Sequence, residues 1–180
     1  MDDAALEVVF GLGFTFDFYG TTYTSVFLNT NGGLTFGEGS SSWGALLDSL
    51  DVPAIGVFWC DHSAEKHGAD QRANQMSYQQ CADRFVVRYV MLQSWGASDE
   101  YDSATVTLLE DGTIVMEFGE VLSDAIFTGV FDGTRADDRH PGLQSTYAYY
   151  PNEGTGVTVF DLDDTHSGEL SNRTITFYPE

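Results

Sequence analysis

The groups of this 180-residue chain that could do chemistry are carboxylates, imidazoles, two thiols and a set of loop aromatics. Asp161-Leu162-Asp163-Asp164 is the best cation candidate. Asp161, Asp163 and Asp164 bring several hard oxygens within reach of one ion, and calcium is the ion such oxygens favour. The segment lacks the glycine at the sixth position and the later bidentate glutamate of an EF-hand loop. Asp61-His62, Glu65, His67 and Asp70 form a second cluster. Imidazole there would favour zinc or copper and the carboxylates calcium, but the spacing fits no standard site and a solvated polar loop is the simpler reading. Asp132, Asp137 and Asp138 make a third acidic group, with Arg135 and Arg139 at hand to neutralise it.

Cys60 and Cys81 bracket a polar stretch of 20 residues. An isolated pair so placed suggests a disulfide and an oxidising compartment, and closing that loop would stabilise by about 3 kcal/mol on the chain-entropy model. Two separate buried thiols are the other reading. Neither cysteine has zinc-site or CxxC spacing. For catalysis the chain offers no Gly-x-Ser-x-Gly elbow, no HExxH and no P-loop. Ser/His/Asp sets can be assembled from almost any chain with four histidines, so no enzyme is expected. Trp43, Trp95, Tyr101 and the cluster Tyr147, Tyr149 and Tyr150 lie in or beside loops, where sugar faces could stack on them; core or edge packing is the commoner fate of such residues.

Charge narrows the partners. There are 28 acidic residues against 7 Lys plus Arg, for a net −21, and Lys66 is the only lysine. Such a surface repels nucleic acid and anionic lipid and attracts divalent cations or basic partners. No cofactor is required by any of these features, with calcium the one ion to test. No apolar run approaches the roughly 20 residues that span a bilayer, so no membrane insertion is expected. The acidic opening Met1-Asp2-Asp3 has no apolar stretch behind it, so no signal peptide is read here.

The elements that must hold these residues are strands. Phe14, Phe16 and Phe18 alternate with Thr15 and Asp17; a second strand runs from Thr22 to Leu28; Asn31-Gly32-Gly33 is a strong hairpin signal leading to Leu34 and Phe36. Ala54 to Cys60 is apolar on both parities, as in a strand covered on both faces. Asp61 to Asn74 reads as surface loop, Phe85 to Leu92 as a long strand, Gly96 to Asp102 as an acidic loop. Glu110-Asp111-Gly112-Thr113 turns between two further strands. Ile126 to Phe131, Leu143 to Tyr150, Val157 to Phe160 and Thr174 to Tyr178 complete the set. No amphipathic helix exceeds two turns. The expectation is one all-β domain over residues 1–180, a two-sheet antiparallel β-sandwich of about ten strands with little helix. Residues 1–12 read as an edge strand or an exchanged arm.

The run Phe14 to Gly37 resembles the opening of the nidogen-type extracellular (NIDO) domain, and still more the related β-sandwich modules of bacterial secreted and surface proteins. Ile55-Gly56-Val57-Phe58-Trp59, Asp83-Arg84-Phe85-Val86-Val87, Glu110-Asp111-Gly112-Thr113-Ile114, Gly129-Val130 before Asp132-Gly133, and Thr174 to Phe177 match in order. The likeness covers roughly residues 10 to 178. One departure is Cys60-Asp61, where the family often has Ala-Asp or Asp-Asp after Phe-Trp. The resemblance implies an extracellular or cell-surface module in matrix, adhesion or surface proteins, and it brings no catalytic residue set. The leading expectation is therefore a non-catalytic adhesion or surface-assembly module with other surface or matrix proteins as partners. A carbohydrate-binding module, with glycans on Trp95, Tyr101, Tyr147 and Tyr149, is the second. A fibre subunit self-assembling by strand addition through residues 1–12 is the third.

Overall fold

Alternating apolar residues decide the architecture. In a computed structural model of the chain, residues 3–43, 52–63, 75–96, 100–123, 126–133, 157–162 and 170–179 are described, with 157–162 as backbone. They form strands and no α-helix, as expected. A six-stranded sheet has the order β1 (Ala5–Val9), β4 (Ser25–Asn29), β5 (Gly33–Thr35), β6 (Pro53–Trp59), β12 (Ile126–Asp132), β13 (Val157–Leu162). The second sheet has the order β14 (Thr174–Phe177), β11 (Ile114–Phe118), β10 (Tyr101–Leu109), β9 (Arg84–Ser94), β7 (His62–Ser63), with β8 (Gln75–Gln80) also on β9. A small hairpin, β2 (Phe16–Phe18) with β3 (Thr21–Tyr23), stands apart, and every pairing is antiparallel.

One core lies between the two large sheets. Val26, Leu28, Leu34, Ile55 and Val57 meet Phe85, Val87, Val106, Leu108, Met116 and Phe177, all buried. β10 shows the cause most plainly: its residues alternate half-buried and buried over nine positions, the period of a pleated strand with one covered face. The strand expected from Thr22 to Leu28 is broken at Thr24, whose carbonyl instead accepts from Phe10 N (2.8 Å). That break separates the β2–β3 hairpin, which plugs the core with Phe16 and Phe18; Phe18 packs 4.9 Å from Phe36.

β6 is buried from Ala54 onward on both faces. Its outer face carries Trp59, 1 % exposed, whose indole lies against the backbone of Gly33. A Cβ at Gly33 would come within 2.1 Å of that ring, so glycine is needed there for close approach. Gly32, at φ +80°, supplies the turn.

β1 is an edge strand paired to β4 within its own chain. Its even residues bond inward, as Phe10 N to Thr24 O and Thr30 N to Ala4 O show. Ala5, Glu7 and Val9 consequently turn their backbone groups away from β4. Gln80 takes two of the outward groups: its Nε2 donates to Val9 O (3.1 Å) and its Oε1 accepts from Gly11 N (2.5 Å).

Candidate functional site

Two β-bulges assemble the one mixed cluster of reactive side chains among the described residues. Val57 N and Phe58 N both donate to Gly32 O, at 3.0 and 3.3 Å. The register against β12 slips between Phe127 and Gly129. The extra residue reverses the parity of β6: Ile55 and Val57 face the core before it, Phe58 and Cys60 after it. His62 continues that new parity into β7, its ring 5.3 Å from Phe58, as the chain crosses from one sheet to the other. Across the ladder, β9 holds a second bulge. Leu92 pairs with Asp102 but Tyr89 with Ala104, and Met91 sits at φ +51° with its N–H on Ser103 Oγ (3.0 Å). β10 keeps its alternation, so Asp102 points inward with Ala104, Val106 and Leu108.

The resulting cluster is sealed. Cys60 is 7 % exposed, His62 and Asp102 0 %. His62 Nε2 donates to Asp102 Oδ2 (2.8 Å), while Asp102 Oδ1 accepts from Leu122 N (2.8 Å) and Ser123 N (3.0 Å). Burial alone would lower the His62 pKa. The charge and contact of Cys60 and the hydrogen bond and charge of Asp102 outweigh it and raise the group to about 10. Burial likewise pushes Asp102 up, and the bond and charge of His62, with the contacts of Ser123, hold it below its ordinary value instead. Imidazolium and carboxylate therefore face each other as a buried ion pair.

Cys60 Sγ lies 3.6 Å from Nδ1 and 3.5 Å from Nε2 of His62. A point so nearly equidistant from both nitrogens cannot lie in the ring plane without striking Cε1, so the sulfur sits over the ring face. A nucleophilic thiol needs one ring nitrogen aimed at it while the other holds the carboxylate. A shared zinc ion would lie in the ring plane about 2.0–2.1 Å from its nitrogen, with the sulfur much closer to that nitrogen than to the other. The three side chains have ligand atoms within 4.8 Å of one another, yet a face-on sulfur and a 2.8 Å N···O contact are the geometry of a packed ion pair and fit neither arrangement.

A family model described as NIDO related matches residues 1–177. The chain belongs to the NIDO-related family. No curated protein and no solved structure matches it. The residues that carried the NIDO resemblance are scaffold in the structure. Asn29 Nδ2 donates to Gly33 O (3.2 Å) and Thr35 Oγ1 (3.3 Å), and its Oδ1 accepts from Ser40 N (3.1 Å). Asn31 Nδ2 donates to Ser42 O (3.0 Å) and Asp3 Oδ1 (2.9 Å), and its Oδ1 accepts from His62 N (3.0 Å). The two asparagines thus pin the 37–43 segment, the N-terminus and the sheet crossover to one hairpin.

The expected Cys60–Cys81 bond is corrected: both cysteines are free. The reason is the length of β9. Cys81 N bonds Arg84 O at its start, while His62, two residues after Cys60, pairs with Ser94 at its end. Eleven residues of strand put roughly 30 Å between those ends, against a Cα separation limit of about 7 Å for a disulfide. Of the second cluster, His62 is a strand residue in the core and Asp61 is half-buried beside it; Glu65, His67 and Asp70 lie outside the described residues. Asp102, expected in a loop, is buried in β10. Trp95 is 56 % exposed and Tyr101 half-buried, at the two ends of the β9–β10 connection. Asp161 is a β13 residue paired with Phe127. Asp163, Asp164, Tyr147, Tyr149 and Tyr150 lie outside the described residues, as do Asp137 and Asp138.

Proposed function

We propose that this chain is a non-catalytic extracellular module for adhesion or cell-surface assembly, acting without a cofactor. The observation that carries the reading is the sealed Cys60–His62–Asp102 cluster. The side chains best suited to chemistry are given over to holding two sheets together, and a substrate would have to unfold the corner to reach them. Membership of the NIDO-related family supports an extracellular-type role. Binding then falls to loops fixed by a rigid sandwich, on a surface whose net −21 charge favours basic or uncharged partners.

Beads coated with the purified protein test this against cell-surface and matrix preparations. Capture that persists in His62→Gln, with no turnover of ester, peptide and glycoside substrates, supports the module; turnover abolished by that substitution sinks it. Fibre assembly by strand addition is a second reading, favoured by the outward backbone groups of Ala5 and Glu7, ahead of the Val9 carbonyl that Gln80 caps. Filaments that grow with concentration in the same preparations and vanish in Glu7→Pro, which spares the β4 ladder, decide for it.

A further inference from the structure

Asn31 joins two segments that each lead to an exposed indole. Its Nδ2 donates to Ser42 O, the residue before Trp43, and its Oδ1 accepts from His62 N. Asp61, which precedes His62, accepts from Trp95 N at 2.8 Å. These links hold the two tryptophan Cα atoms no more than about 18 Å apart. Every link is backbone or a single short side chain, so both indoles start from positions fixed to the sandwich. Trp43 is 62 % exposed and Trp95 56 %, whereas Trp59, whose Nε1 donates to the same Ser42 O (3.0 Å), is 1 % exposed. Large aromatic side chains are usually well covered; here two are more than half exposed, and their backbones are tied to one corner. Asp3 is tied to that corner through Asn31, and Tyr101 follows Glu100, whose carbonyl accepts from Ser94 N next to Trp95.

We propose that this corner binds an uncharged polysaccharide, with sugar rings stacked on the exposed faces of Trp43 and Trp95. The negative face of an indole suits the slightly positive C–H face of a pyranose. Two platforms on a fixed base suit an extended chain of sugars, because little ordering is left to be done on binding. The net charge excludes sulfated, uronic and sialylated chains, which this surface repels. The proposal rests on the reading of the chain as an adhesion module and names what that module grips.

Affinity electrophoresis through gels cast with soluble glucans, mannan, xylan or chitin oligomers, and with heparin as the anionic control, tests it on the full chain. At least one neutral polysaccharide is expected to retard the protein, with heparin without effect. Trp43→Ala and Trp95→Ala each weaken retention about tenfold, and the bound glycan shifts the emission of the exposed indoles to shorter wavelength. Both substitutions are at the surface, and unchanged Trp59 emission confirms the fold. Retention by none of the neutral glycans, stronger retention by heparin, or full retention of the double variant overturns the proposal. Beads that still capture cells after such a failure leave the adhesion reading standing and remove only the glycan.

Discussion

A fully buried imidazolium and carboxylate 2.8 Å apart each favour the charged form of the other, and that makes His62 and Asp102 the residues through which pH acts on the fold. The folded pKa of His62 lies above its unfolded value of 6.5, at about 10. Its contribution is therefore complete below about pH 6.5 and is lost as pH rises through 10. Asp102 is held below its unfolded value of 3.8, so its contribution is present above about pH 4 and is lost as pH falls further. The window in which both are complete runs from about pH 4 to 6.5. Acid titration also relieves repulsion among the other carboxylates, so the informative quantity is the difference between wild type and Asp102→Asn. Urea unfolding at stepped pH is expected to show a cost of about 3–5 kcal/mol inside the window, because one partner is left buried and unpaired. The difference shrinks on both sides. A pH-independent difference would mean that the pair is neutral.

At the scale of elements, the length of β9 sets where the thiols are. Cys60 is buried and Cys81 half-buried, at opposite ends of that strand. One thiol is expected to react promptly with an aromatic disulfide reagent in the native protein and two in urea, with Cys81→Ser abolishing the prompt reaction. Titration of no thiol in urea without reductant would restore the disulfide. The strands themselves were legible, since Phe14 to Phe36, Phe85 to Leu92 and the Asp111-Gly112 hairpin announce themselves by alternation and turn chemistry. What alternation could not carry was the pair of bulges. Counted straight from Ile55 and Val57, the inward parity would put Asp61 in the core; the slip at Phe58 delivers Cys60 and His62 instead. The slip at Met91 is equally silent. A signal did exist for Asp102, which shares the parity of Ala104, Val106 and Leu108, but its acidic neighbours Asp99 and Glu100 argued for a loop. The disulfide reading failed because a spacing of 20 residues records contour length and not where a strand carries each end.

Over the whole molecule the dominant quantity is charge. A net −21 on 180 residues raises the energy of the folded state through self-repulsion, and the unfolded chain relieves it by expanding. Raising NaCl from 0.01 to 1 M contracts the screening length from about 30 to about 3 Å. The melting temperature is accordingly expected to climb steadily over that range, and a flat profile would show that the acids are already neutralised by near neighbours. Divalent ions separate screening from a site. Calcium and magnesium chloride at matched ionic strength screen alike, whereas a site built on Asp161, Asp163 and Asp164 would add a saturable shift with calcium alone. The buried His62–Asp102 pair should be nearly indifferent to either salt, since no ion can come between its members. Salt must therefore move wild type and Asp102→Asn in parallel. If it closes the gap between them, the pair is reached by solvent and the corner is open.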